Sequence, residues 1–218
     1  MADGSVDQMR VYRDQLLAHT PAESKGKPCT EVCIFKLKPE YASDHATTLS
    51  IFESEYAPNA DPSKPWSKGI RRIGWGISVD DPSSMVFTVD WDAIEYHWDF
   101  WLSEGFPPLM AAISKLFESG RPLVRHYDFG SKGTPPAELP FLRIAVWDDG
   151  DAREGNVSKS SNAALAGTDN VREGYAIDMQ ETTWWCSLLA FASESEALET
   201  KIQTGRDAVS HVYKVRYL

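Results

Sequence analysis

Apolar and polar positions change period several times along this chain of 218 residues. Residues 5–18 place Met9, Tyr12 and Leu16 on one face at helical spacing, with Ser5 as N-cap. The polar TPAESKGKPC breaks that pattern. Residues 31–39, EVCIFKLKP, then alternate as a strand that stops at Pro39. Ser43 is placed to cap a second helix whose inward face carries His45, Leu49, Phe52 and Tyr56. GIRRIGWGISVDD (69–81) and MVFTVDWD (85–92) predict a hairpin joined by the turn-forming DDPSS. A long apolar helix is expected from about Ala93 to Phe117, interrupted near SEGFPP. Gly120 ends it, and RPLVRHYDF (121–129) reads as a fourth strand. The order β-α-β-β-α-β is that of a ferredoxin-like unit.

The linker-like GSKGTPPAEL (130–139) follows, and the same order then runs again. FLRIAVWD (141–148) is a strand and NVSKSSNAALAG (156–167) a weaker, polar helix. VREGYAIDMQ and TWWCSLLAFAS pair as strands, SESEALETKIQTG is a helix capped by Ser193, and VSHVYKVRYL closes the chain. Both halves end on a strand carrying His and Tyr, so the chain reads as a tandem duplication with a shorter, decayed second copy. The predicted organisation is an N-terminal helical extension (1–28), a first unit (29–129), a linker (130–139) and a degenerate second unit (140–218). The helices of each unit cover one face of its sheet, and packing the two bare faces together buries both. The predicted fold class is therefore α+β: two tandem ferredoxin-like βαββαβ units whose antiparallel sheets form an α/β barrel. The pattern leaves open whether that barrel closes within one chain or across a dimer.

Charge narrows the partners. Twenty-two basic against 32 acidic residues give a net charge of −10. That field repels phosphate and argues against nucleic acid and anionic membranes. There is no apolar run of membrane-spanning length and no apolar signal core near the N-terminus, so a cytoplasmic location is expected. Cys29, Cys33 and Cys186 form no CxxC pair, against both a disulfide scaffold and a zinc knuckle. Nucleotide-binding glycine motifs, a GxSxG elbow and HxxxH pairs are absent, and the acidic DDGDAREG (148–155) lacks the ligand alternation of a calcium loop. Eight Trp, eight Tyr and nine Phe are enough to line an apolar cavity as well as a core.

The stretch VDWDAIEYHWDFWLSEGFPPL (89–109) joins a strand ending in Trp to a charged cap and an aromatic helix. It resembles the third strand and second helix of the antibiotic biosynthesis monooxygenase group, within the dimeric α/β-barrel superfamily. The likeness covers residues 31–129, and 140–218 only by element order. That superfamily includes cofactor-independent oxygenases, haem-degrading enzymes, polyketide cyclases, peroxidases, lyases and stress proteins, so it implies a fold more than a chemistry. Its haem-degrading members carry a ligating His about three turns beyond the helix Trp. The corresponding SEGFPPLMAA has none. The resemblance thus implies an enzyme without haem, flavin or metal.

Ile94, His97, Trp98 and Trp101 form one stripe of the long helix, so His97 is presented towards the sheet. A neutral imidazole there can take a proton from an acidic carbon or a phenol; its bland alternative is a core His satisfied by a carbonyl. On the fourth strand Val124, His126 and Asp128 alternate with Leu123, Arg125, Tyr127 and Phe129. One set adds His126 to the cavity, and the other adds Arg125 and Tyr127 to hold an anion; a one-residue slip exchanges them. The catalytic candidates are His97, His126 and Tyr127. The substrate-binding candidates are Trp101, Trp91, Trp98, His45, Phe52, Arg71, Trp75 and Arg125. All lie in the first copy, and His45 is a second inward imidazole across the pocket. The expected function is cofactor-independent oxygenation of an apolar aromatic or polyketide-type molecule of secondary metabolism. An oxygen-independent cyclase, isomerase or lyase fits the same pocket, and a non-catalytic binding or stress protein is the third alternative. The expected partner is an apolar small molecule, with no nucleic acid and no membrane; homodimerisation is compatible with the pattern.

Overall fold

A computed structural model describes residues 3–150, 168–178, 180–202 and 204–218. The β-branched and aromatic runs form eight strands. They are β1 (Cys29–Lys36), β2 (Ile70–Ser78), β3 (Ser84–Trp91), β4 (Leu123–Tyr127), β5 (Phe141–Asp148), β6 (Val171–Tyr175), β7 (Trp184–Phe191) and β8 (Arg206–Tyr217). All pair antiparallel in the order β4-β1-β3-β2-β8-β5-β7-β6. The first four strands run 4-1-3-2, and 8-5-7-6 repeats that order in the second half. The free edges then approach. Tyr127 bridges to Ala176, and the Ile177 N–H donates to the His126 carbonyl at 2.9 Å. The sheet is thus nearly closed into a barrel within one chain.

The pleat sorts side chains into two layers. Val32, Ile34, Val86 and Tyr127 meet Leu142, Ile144, Leu188 and Tyr213 inside the barrel. Cys33, Phe35, Trp75, Phe87, Val89 and Trp91 point outward under the helices of the first half. At the seam between halves, a Cβ on Gly76 would collide with the Lys214 carbonyl, so glycine lets β2 and β8 approach.

The helices are α1 (Asp3–His19), α2 (Pro39–Ala42), α3 (His45–Ile51), α4 (Ile94–Phe100), α5 (Phe106–Leu116) and α6 (Glu194–Glu199). The N-cap of α3 is Asp44 rather than Ser43, its carboxylate accepting the Thr47 N–H at 3.1 Å. The predicted long helix is two helices, with Pro107 and Pro108 in the first turn of α5, where missing amide protons cost nothing. In the second half α6 covers only a small apolar layer around Leu189, Phe191 and Val212. The predicted helix NVSKSSNAALAG and residues 151–155 of the acidic stretch lie outside the described residues. No helix among the described residues is long and apolar enough to cross a membrane.

Two devices brace the first half. Arg13 of α1 pairs with Asp99 of α4 at 2.9 Å, and Tyr12 stacks on Trp101. Asp90, buried near the end of β3, orients no imidazole among the described residues. It accepts from the Thr30 hydroxyl at 2.7 Å, from the Thr134 N–H at 2.9 Å and from Arg72 at 3.1 Å, fastening residues after β4 to the barrel mouth.

Candidate active site

β1 is apolar around one acidic residue, Glu31. The pleat turns it to the face of Cys29, Cys33 and Phe35, and the register sets it opposite His126 of β4. The inward stripe of α4 places His97 over the same spot. His97 Nε2 is 3.6 Å from Glu31 Oε1, His126 Nε2 is 3.8 Å from Glu31 Oε2, and the two imidazoles are 4.5 Å apart. All three residues are buried.

Neighbouring donors fix the orientation of each member. The Trp91 indole N–H donates to Glu31 Oε2 at 3.1 Å, and the Cys33 thiol donates to Oε1 at 3.3 Å. The Trp101 N–H donates to His97 Nε2 at 2.9 Å, which assigns the ring proton of neutral His97 to Nδ1. Asp178 holds His126 twice. Its Oδ2 is 2.6 Å from Nδ1, and its Oδ1 accepts the His126 backbone N–H at 3.2 Å. Asp178 accepting from Nδ1 leaves the lone pair on His126 Nε2. His97 Nδ1 and His126 Nε2 remain without partners among the described residues.

The electrostatics split the pair. Burial holds His97 well below the ordinary histidine value, and the neighbouring His126 lowers it further. Burial also presses His126 down, but the charge and hydrogen bond of Asp178, with the charge of Glu31, outweigh it and raise His126. Burial, and then Glu31, push the Cys33 thiol well up, so it stays a donor.

These groups line one cavity of about 950 Å³. Phe87, Val89, Phe100, Trp101, Leu109 and Ile113 supply apolar wall. The cavity runs from the buried cluster to an exposed rim around Glu118 and Gly120, where α5 leads into β4. Such a shape, apolar with a few convergent polar groups, suits a small-molecule site.

His97 and His126 come together here, and Trp91, Trp98 and Trp101 line the same cavity. Six candidates are placed elsewhere. Tyr127 follows His126 on the strand and so points into the barrel, stacked on Phe129. Arg125 shares that opposite face, against Glu181 at 2.7 Å and over the Trp184 ring at 3.6 Å. Arg71 falls at a bulge in β2 and reaches Asp92 and the Ser131 carbonyl on the rim. His45, at the end of α3 that overhangs the β2–β3 turn, meets the Pro82 carbonyl at 3.1 Å. Phe52 and Trp75 pack against one another in the layer behind Tyr56 and do not line the cavity.

No protein-family model and no curated protein matches the sequence. Solved structures do match. A protein of Fusobacterium nucleatum named as a monooxygenase superposes with a TM-score of 0.60 at 11% identity, covering 87% of this chain and 93% of its own. An anthrone oxidase-like protein gives 0.59 at 13% identity, over 88% and 93%. A Lactobacillus acidophilus protein, also named as a monooxygenase, gives 0.57 at 12%, over 87% and 94%. These proteins share the fold of this chain, with its eight-stranded antiparallel sheet nearly closed into a barrel. Identities this low carry architecture alone, so chemistry has to be argued from the site.

The barrel explains two residues that sequence reasoning missed. Glu31 had a local signal, an acid on the apolar face of β1. Asp178 had none: it lies beyond β6, and only barrel closure sets it beside β4. The second half therefore contributes to the site as well as completing the sheet.

Proposed function

We propose that this chain is a monooxygenase that deprotonates and oxygenates an apolar aromatic substrate of polyketide type in the 950 Å³ cavity, without flavin or haem. One observation carries the reading: a buried pair of imidazoles with different hydrogen-bond assignments forms the polar end of an apolar cavity. His126, backed by Asp178, offers the Nε2 lone pair as base. His97, fixed by Trp101 with its proton on Nδ1, offers a donor to the oxygen on which charge develops. Glu31 and Asp178 flank the imidazolium formed when His126 takes the proton. The names of the structures with this fold, monooxygenases and an anthrone oxidase-like protein, support the reaction class.

The balance needs no external reductant. The base removes a proton from an activated CH₂, the carbanion passes one electron to O₂, and the radical pair recombines as a hydroperoxide. Loss of water leaves a carbonyl, so the four electrons that reduce O₂ all come from the substrate. The test is oxygen uptake with polycyclic phenols and ketones bearing an acidic CH₂. One O₂ consumed per product that gains one oxygen and loses two hydrogens is expected. Undiminished turnover without oxygen would overturn the reading in favour of a cyclase, isomerase or lyase.

A further inference from the structure

The geometry points to a divalent transition-metal site formed by Glu31, His97 and His126, with the Asp178 carboxylate orienting His126 from behind. It rests on the proposed function only for its consequence: it makes the proton-transfer site one that a metal shuts off.

The donor set is the first argument. One ligand atom from each of the three residues can be chosen so that all lie within 4.8 Å of one another. The gaps from Glu31 to the imidazoles, 3.6 and 3.8 Å, exceed by well under an ångström the roughly 3.0–3.4 Å between donors around a cation held at about 2.1 Å. Two imidazoles with one carboxylate favour zinc, cobalt or ferrous ion over magnesium or calcium.

The second argument is the unmet bonding. His126 is fully buried, and its Nε2, 3.8 Å from Glu31 Oε2, has no hydrogen-bond partner among the described residues. Glu31 and Asp178 are also buried, and among the described residues they pair with the imidazoles of His97 and His126. A divalent ion set among Glu31, His97 and His126 gives the open His126 Nε2 the bonding partner it lacks.

The third is orientation. Asp178 on His126 Nδ1 reproduces the carboxylate–histidine–metal relay that fixes tautomer and ring angle, and the Trp91 N–H steadies Glu31 Oε2. His97 Nε2 holds the Trp101 N–H in the metal-free form, so ligation there exchanges that hydrogen bond for the ion. Trp101 fluorescence then reports occupancy. The cavity side of the cluster leaves coordination positions for water. Because the metal takes the Nε2 lone pair of His126, metal binding and proton abstraction exclude one another.

The test uses the full chain stripped by a chelator, titrated with Co²⁺ by visible absorption and with Zn²⁺ by calorimetry, with Mg²⁺ as the comparison ion. One equivalent of Co²⁺ or Zn²⁺, a change in tryptophan emission and no Mg²⁺ binding are expected. Glu31→Gln, close to isosteric, and His126→Ala should each weaken binding at least tenfold, and Asp178→Asn about 10- to 100-fold. His211→Ala, at a surface His beside Asp80 and Asp81, should leave it unchanged. Absence of binding, binding insensitive to both Glu31→Gln and His126→Ala in folded protein, or binding lost in His211→Ala would overturn the site. Oxygen uptake separates this from the functional reading. Turnover in stripped protein that Zn²⁺ suppresses supports both. Turnover that requires the metal keeps the site and overturns the metal-free base. Normal turnover with no binding overturns the site alone.

Discussion

Asp178 Oδ2 lies 2.6 Å from His126 Nδ1, across 52 positions of sequence and from opposite halves of the chain. The same carboxylate accepts the His126 backbone N–H, so one side chain both fastens the closing seam of the barrel and orients the proposed base.

Asp178→Asn should therefore act on two readouts. The amide keeps the shape but loses the anion, and oxygen-consuming turnover should fall by one to two orders of magnitude (roughly, within the general-base range). Asp178→Ala should also cost about 1–3 kcal/mol in denaturant unfolding, since it strips buried donors of their acceptor. Unchanged kcat in a destabilised Asp178→Asn protein would mean that the pair only closes the barrel.

His126→Ala should reduce turnover about 10²- to 10⁴-fold with the fold intact by circular dichroism. Tyr127→Phe, at the adjacent residue on the opposite face, should leave kcat within about twofold of wild type, far below such a general-base effect. The reverse ranking would put the chemistry inside the barrel.

Trp101→Phe keeps an aromatic wall but removes the N–H that accounts for the His97 tautomer. Nitrogen-15 spectra of His97 should show the proton on Nδ1 in wild type and a mixed population in the variant. An unaltered tautomer would mean that Trp101 does not set it.

Gly76→Ala should destabilise the chain by about 1–3 kcal/mol in urea, because its methyl meets the Lys214 carbonyl across the β2–β8 seam. Wild-type stability would show that the two strands part without cost.

Alkali should unfold the protein through its buried phenols. Burial pushes Tyr217 up to about 12 despite Arg72 nearby, and it raises Tyr213, Tyr127 and Tyr56 as well. Their folded values lie above the ordinary value of about 10, so their contribution is complete below pH 10 and is lost as pH rises towards and past 12. A Tm that falls over that window is expected; a flat Tm would contradict it.

Local pattern determined much of this protein. Alternation in EVCIFKLKP and MVFTVDWD, the turn residues between β2 and β3, and the prolines of SEGFPP are read by the chain within a few residues, and they set the strands, the hairpin and the helix break. The repeated order of elements was enough to imply a duplicated, barrel-forming sheet. The stripe Ile94–His97–Trp98–Trp101 likewise marked the helix face that looks into the cavity, because helical spacing alone decides which side chains share a face. Tertiary structure decided which face of β4 looks outward, since alternation is symmetric under a one-residue shift: pairing with β1 sets His126 opposite Glu31 and sends Arg125 and Tyr127 to the other side. It also decided that Asp178 belongs to the site, because a contact between residues 52 positions apart leaves no periodic trace and exists only once β4 and β6 are brought together by closure of the sheet.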